Sequence, residues 1–325
     1  MLKVNNLTIE LKTEKDNFYI LCDFSLHIKK GEIFGLAGES GSGKSVFAKS
    51  ILGLNNAPIY KTNGEIIVDN TLLNTKKDYQ NIRGKKVSMI FQNPQSSLNP
   101  VMTIGSQLIE TILLHNKEIN KHNALIKAID LLKSVEINNP EERIHSFPHQ
   151  LSGGMNQRVM IAIALASKPD ILIADEPTTA LDVTIQEQII NLIKKLNQEN
   201  NLTTLFISHD LALLSSICSK IAVLYSGELM EVVKSDNLIL NQEKHPYTHA
   251  LKQCIPHINN KDDLITIKGF IEKNNFLYNE KCIFADRCNN SIDMCYNKKP
   301  LYSNGCKCHN PYRQEQNEPI KKISN

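Results

Sequence analysis

The sequence predicts an α/β protein built on a parallel sheet, and three observations carry that expectation. ILIAD (171–175) is a continuous apolar run of the kind buried on both faces of a parallel sheet. IFGLAG (33–38) and TTLFIS (203–208) are similar short apolar strands. Between and after them, KSVFAKSILGL and IQEQIINLIKKLNQE place apolar residues at three- and four-residue spacing, the pattern of a helix. Strands that alternate with helices give a parallel sheet with crossover connections.

The first thirty residues read as short strands. VNNLTIEL and CDFSLHI alternate apolar and polar residues with period two, and KKGE at 29–32 has the composition of a turn. From about Met102 to Lys168 the pattern is helical, in TIGSQLIETILL, NALIKAIDLLKSV and GMNQRVMIAIALA. After Val233 the chain becomes polar and broken, which puts a boundary near residue 240 and divides the chain into 1–240 and 241–325, with a helical subdomain at about 93–165.

At 325 residues, with 41% hydrophobic and 22% charged residues, the chain is long enough and balanced enough for an ordinary globular core, so a disulfide miniprotein and a disordered chain are excluded. A formal charge of +3 gives no reason to expect nucleic acid. The N-terminal MLKVNNLTIELKTEKDN lacks the apolar stretch of a secretory signal, so the chain is expected in the cytoplasm. No apolar run reaches the roughly 18 to 20 residues of a spanning helix, which leaves peripheral or partner-mediated contact with a membrane.

GESGSGKS, comprising Gly38, Glu39, Ser40, Gly41, Ser42, Gly43, Lys44 and Ser45, fits the phosphate loop G-x-x-x-x-G-K-[ST] and sits between an apolar strand and a helix, where such a loop belongs. Its glycines let backbone N–H groups turn inward around phosphates, and the helix N-terminus adds positive potential. Lys44 is then placed to reach the β- and γ-phosphates, and the Ser45 hydroxyl to ligate Mg²⁺. A chance Gly/Ser-rich turn is the plain alternative, and the flanking strand and helix argue against it. Asp175, at the end of the ILIAD strand, supplies the second acid on the metal side. Glu176 follows it, positioned to orient or deprotonate an attacking water. Taken alone, such a DE pair is more often a strand cap facing solvent; paired with the loop, it reads as chemistry.

At LSGGM, residues 151–155, which opens the helix NQRVMIAIALA, the chain resembles the ATP-binding cassette family, whose signature is LSGGQ. Gln92 in MIFQNP corresponds to that family's Q-loop, where it stands near Mg²⁺ and the water. ALD at 180–182, with Asp182, corresponds to the D-loop, and His209 in ISHD to the switch histidine. The resemblance implies a P-loop cassette with a parallel-sheet core, an antiparallel β subdomain and a helical subdomain, binding ATP and Mg²⁺ and hydrolysing ATP. It also implies that Ser152, Gly153 and Gly154 serve the nucleotide of a second cassette, as a helix N-terminus with small residues can approach a phosphate closely. Met155 departs from the family's Gln and bears on packing more than on the backbone donors. Either Phe18 or Tyr19 matches the family's adenine-stacking aromatic.

QNPQSSLNPVMTIGSQL, FPHQLSGGMNQRVMIAIALA and ADEPTTALDVTIQ are similar to the ATP-binding subunits of oligopeptide, dipeptide and nickel importers, and GGM with TTALDVTIQ resembles the first of their two non-identical subunits. The resemblance implies peptide import, with nickel or a metal chelate as the alternative cargo. It also implies a heterodimer with a second cassette subunit, two permease subunits, an extracytoplasmic substrate-binding protein, and a peripheral position on the cytoplasmic face of the plasma membrane. A chromosome-repair ATPase would separate Gln92 from LSGG by long coiled coils, and a cassette-type translation factor would carry two cassettes in one chain; this sequence has neither feature.

KHPYTHALKQCIP, FADRC and the later KCH are similar to that group's C-terminal extension, whereas 268–281 lacks its proline-rich approach. Cys282, Cys288, Cys295, Cys306 and Cys308 leave gaps of five, six, ten and one residues, which disfavours zinc, since zinc sites prefer C-x₂₋₄-C pairs. The resemblance implies a 4Fe-4S cluster on Cys282, Cys288, Cys295 and Cys308, with Cys306 spare. Zinc and reduced thiols that hold a loop-rich domain by packing are the alternatives. Cys22, Cys218 and Cys254 read as core residues.

Overall fold

The structure, a computed structural model, describes residues 1–14, 17–55, 58–179, 181–255, 266–270 and 280–312. Ala180 of the ALD stretch and residues 271–279 of the stretch at 268–281 lie outside these.

Two sheets form the frame. The larger has six strands: β3 (Ile33–Ala37), β6 (Val87–Ile90), β7 (Ile171–Asp175), β8 (Thr203–Ile207), β9 (Lys220–Tyr225) and β10 (Glu228–Lys234). Its order is β10-β9-β3-β8-β7-β6, parallel throughout except for the edge strand β10, which pairs antiparallel with β9. The smaller sheet is antiparallel, with β1 (Leu2–Lys12) between β2 (Asn17–Ile28) and β4 (Tyr60–Val68), and the short β5 (Thr71–Leu72) at its edge.

Every residue of β7 and β8 is buried, as the unbroken apolar run at 171–175 predicts. The period-two geometry of a strand then divides their side chains between two cores. Ile171, Ile173, Leu205 and Ile207 join the smaller sheet and α1 (Lys44–Ile51) on one face. Leu172, Ala174 and Phe206 join the helices on the other.

Those helices are α4 (Ile104–His115), α5 (Lys121–Ser134), α7 (Gly153–Leu165), α8 (Val183–Asn200) and α9 (Leu211–Ile217); between the strands lie also α2 (Lys76–Ile82), α3 (Pro94–Ser97) and α6 (Pro140–Arg143). Side-chain caps fix their starts: Thr103 accepts the Ser106 N–H, Ser152 that of Met155, and Asp182 that of Ile185.

The segment beyond residue 240 shares the core formed by the large sheet and its helices. After α10 (Ser235–Ile239) comes α11 (Pro246–Gln253), whose Tyr247 is fully buried with its ring 4.7 Å from that of Tyr225 and 5.1 Å from that of Phe284. Phe284, Ala285, Cys282 and Cys295, the last in α12 (Asp293–Asn297), belong to the same apolar cluster. Ion pairs add to the attachment: the buried Glu228 meets Lys299 and Lys307, each at 2.5 Å.

The start of α11 carries a pH dependence. Buried His245 accepts the Tyr247 N–H on Nδ1 at 3.0 Å, and burial pulls its pKa down to about 4, against a weaker upward effect of the Lys307 carbonyl. Its folded pKa lies below the ~6.5 of an unfolded histidine. The neutral ring therefore contributes its full stability above about pH 6.5, and that contribution is lost as the pH falls towards about 4. His245→Asn keeps a capping acceptor without the titration. The melting-temperature difference between wild type and this variant should shrink or reverse between about pH 7 and about pH 4.

Candidate nucleotide site

The phosphate loop joins β3 to α1 at the C-terminal edge of the large sheet. Its glycines are dictated by close approach. Gly38 has φ 154° and a Cβ there would run into the Leu224 carbonyl oxygen; Gly43 has φ 105°, and a Cβ would stand 2.7 Å from the Ile20 carbonyl oxygen. At Gly41 a Cβ would meet nothing within 4 Å, so the crest of the loop faces open space. Lys44 folds back over the loop, its Nζ donating to the Gly38 carbonyl at 2.8 Å and the Glu39 carbonyl at 3.0 Å. Burial pulls its pKa down, and the carboxylates of Glu176, Asp175 and Glu39 oppose that pull.

Five sequence-predicted residues from four places in the chain meet beside this loop. The Ser45 hydroxyl donates to Asp175 Oδ1 at 3.1 Å. Burial raises the Asp175 pKa, with the Ser45 hydrogen bond acting against it and Glu176 with it. Gln92 Nε2 donates to Glu176 Oε2 at 2.8 Å, and His209 Nδ1 lies 3.5 Å from Glu176 Oε1. Glu176 itself has φ 47°, a left-handed conformation unusual for a side chain with a Cβ, and its N–H is tied to the Ile207 carbonyl at 3.0 Å.

Thr179 was not among the sequence candidates. Its hydroxyl donates to Glu176 Oε2 at 3.1 Å, so the carboxylate is held from three sides. The signal lay in the TTALD run, one helical turn beyond the acid. Ser152, Gly153 and Gly154 occupy a different place, at the N-terminus of α7 against Leu181 and Ile185. Asp182 stands beside them as the cap of α8. Phe18 and Tyr19 are neighbours on β2, both half-buried, and the following residue, Ile20, touches the phosphate loop.

Curated relatives match nearly the whole length of the chain. It is 44% identical over 304 residues to the oligopeptide transport ATP-binding protein AppD of Bacillus subtilis, an overlap covering 92% of each chain. The protein belongs to the ABC transporter family. The ABC transporter domain is matched at residues 21–179, and the C-terminal region of oligopeptide/dipeptide transporters at residues 230–295. This ABC chain is also 40% identical over 324 residues to the dipeptide transport ATP-binding protein DppD of Escherichia coli, covering 96% of this chain and 97% of that one. Among solved structures, the ATP-binding cassette MJ0796, described as a dimeric post-hydrolysis state bound to ADP and Pi, superposes with a TM-score of 0.65 at 32% identity, covering 72% of this chain and 99% of that one. No helix among the described residues of the ABC chain is long and apolar enough to cross a membrane.

The cysteines of the extension divide into two sets. Cys282 and Cys295 are buried, Cys288 and Cys308 half-buried, and the Cys282 N–H donates to the Cys295 carbonyl at 2.8 Å. Burial pushes the Cys282 thiol up to about 11 and the Cys308 thiol up to about 12, and Cys282, Cys288 and Cys295 each raise Cys308 further. Cys306 is raised by burial and then by Glu231 and Cys308, away from the other three. Among the described residues no three His, Cys, Asp or Glu side chains gather as ligands of one metal ion. The metal expectations for this cluster, iron-sulfur and zinc alike, thus find no support in the geometry of the described residues.

Proposed function

We propose that this ABC subunit hydrolyses Mg-ATP and that the hydrolysis drives uptake of peptides through permease subunits. The Ser45–Asp175 pair and the contacts of Gln92 and His209 with the adjacent Glu176, beside the phosphate loop, carry the first half of this reading. The likeness to oligopeptide and dipeptide transport proteins over more than nine tenths of the chain supports the second.

In this reading the loop N–H groups and the N-terminus of α1 receive the phosphates, and Lys44 exchanges its two carbonyl partners for β- and γ-phosphate oxygens. The Ser45 hydroxyl and the Asp175 carboxylate are oxygen donors suited to a hard cation, with Gln92 alongside. Mg²⁺ held by Ser45 and Asp175 would supply positive charge against the charge that develops on the phosphates. Glu176 orients the attacking water and takes up its proton, while Gln92, Thr179 and His209 fix the carboxylate. Ser152, Gly153 and Gly154 are assigned to the nucleotide of a second, non-identical cassette in a head-to-tail dimer, and Asp182 to the joint between the two.

An apolar groove lined by Leu52, Leu54, Phe91, Leu98 and Met160 opens next to Gln92, and Phe91 and Val101 stay exposed beside it. This surface suits permease subunits, and in this reading the subunit sits peripherally on the cytoplasmic face of the membrane, with an extracytoplasmic binding protein delivering cargo. A metal at Cys282, Cys288, Cys295 and Cys308 is a separate proposal that rests on the resemblance of FADRC and KCH to the C-terminal extension of these importers, not on the arrangement of the thiols, of which no three gather as ligands of one ion among the described residues. Iron and zinc analysis with a visible spectrum of anaerobically purified protein checks it. Iron with cluster absorbance supports it, and absence of both metals refutes it.

Cells lacking this chain and complemented with wild type or Lys44→Ala provide the functional test. Uptake of labelled dipeptides and oligopeptides is expected to return with wild type alone. Rescue of nickel uptake without peptide uptake would replace the cargo, and unchanged uptake in the deleted cells would overturn the transport reading.

A further inference from the structure

We propose that Arg287, in the C-terminal extension, is a positioning residue of the nucleotide site: it clamps Glu39, and through it the first half of the phosphate loop. The inference rests on the reading of residues 38–45 as the ATP site.

The contact is a fork on a fork. The two terminal nitrogens of Arg287 donate to the two carboxylate oxygens of Glu39 at 3.0 and 3.1 Å, across 248 residues of sequence. Such bidentate pairs fix orientation as well as distance. The Arg287 side chain is 8% exposed and that of Glu39 28%, so the pair is partly shielded from solvent. Nothing about the arginine is loose. Its Nε donates to the Lys268 carbonyl at 2.8 Å, one terminal nitrogen also reaches the Tyr225 hydroxyl at 3.3 Å, and the guanidinium lies 5.6 Å from the Tyr225 ring centre. It ends the 3₁₀ turn Ala285–Arg287, between Cys282 and Cys288, and that turn is anchored by Phe284 in the core.

Glu39 is gripped twice. Its N–H donates to the Tyr247 hydroxyl at 3.1 Å, so both its side chain and its backbone are tied to the extension. The Glu39 carbonyl is in turn one of the two that hold Lys44. A displacement of Glu39 therefore moves the lysine assigned to the β- and γ-phosphates. Charge adds a second consequence. A carboxylate in a phosphate-binding loop repels the ligand's phosphates, and Arg287 neutralises it. The extension thereby becomes part of the ATP site, with Arg287 acting through Glu39 and touching no nucleotide itself.

Equilibrium binding of Mg-ATP to the full chain tests this, comparing wild type, Arg287→Ala, Arg287→Lys, Glu39→Ala, the Arg287→Ala/Glu39→Ala double variant and Lys44→Ala. Arg287→Ala should raise the Kd about tenfold, a typical size for coupling between sites. Arg287→Lys keeps the charge and loses the fork, and should fall between that variant and wild type. The double variant should bind better than Arg287→Ala, because removing the unpaired carboxylate relieves its repulsion; a purely structural role of Arg287 gives no such rescue. A Kd within twofold of wild type for Arg287→Ala, or for Arg287→Lys should the alanine variant not fold, overturns the proposal. So does an additive double variant. If Lys44→Ala binds as well as wild type, it is the phosphate-loop reading that fails.

Discussion

Replacing Glu176 with glutamine should cut ATP turnover at this subunit's own site by about 10²- to 10⁴-fold, the usual contribution of a positioned general base. Mg-ATP binding should persist, because the groups assigned to the phosphates and the metal are Lys44, Ser45 and Asp175. The substitution keeps the shape of the side chain and its hydrogen bond capacity towards Gln92 and Thr179, which both donate to Oε2. It removes the charge that would accept the proton. The left-handed backbone at Glu176 argues that this geometry is maintained at a cost, of the order of 1 kcal/mol or more, for the sake of the site. Single-site hydrolysis measured in a dimer whose other site is inactivated provides the check, and unchanged turnover would remove Glu176 from the mechanism.

Tyr247→Ala should be the most damaging single truncation in the extension. The ring is fully buried between Tyr225 and Phe284, and loss of a large aromatic from a core costs about 3–5 kcal/mol. Tyr247→Phe keeps the ring and deletes only the hydroxyl that accepts the Glu39 N–H, for about 1 kcal/mol. Urea unfolding of the three proteins separates the two effects. A midpoint for Tyr247→Ala close to that of wild type would mean that the extension is not packed into the cassette core.

Much of the catalytic half was legible because its requirements are local. Gly38 and Gly43 are glycines for lack of room, the strand before them is apolar because the sheet buries it, and Asp175 and Glu176 follow a strand of the same kind. The β9–β10 hairpin went unread although its signal was present: KIAVLY and ELMEVVK flank a two-residue Ser-Gly turn, and Ser226 and Gly227 both take positive φ. By pattern alone residues 236–263 looked polar and broken, and only the resemblance of KHPYTHALKQCIP to a helix of the importer group pointed to α11, which forms there. Its one deeply buried aromatic, Tyr247, gains its partners from Tyr225 and Phe284 rather than from any periodic face of its own. The clamp of Arg287 on Glu39 was beyond sequence reasoning for the same reason. Neither FADRC nor GESGSGKS contains anything that specifies the other, and only the packing of Phe284 against Tyr225 and Tyr247, whose hydroxyl meets the Glu39 N–H, brings them together.

Whether residues 38–45, with Asp175 and Glu176, form an ATP site is decided by equilibrium binding of Mg-ATP to the purified chain beside its Lys44→Ala variant. Saturable binding by the wild type and its loss in the variant are expected, with both proteins folded by circular dichroism. Equal binding by the two, or none by the wild type, would contradict that assignment.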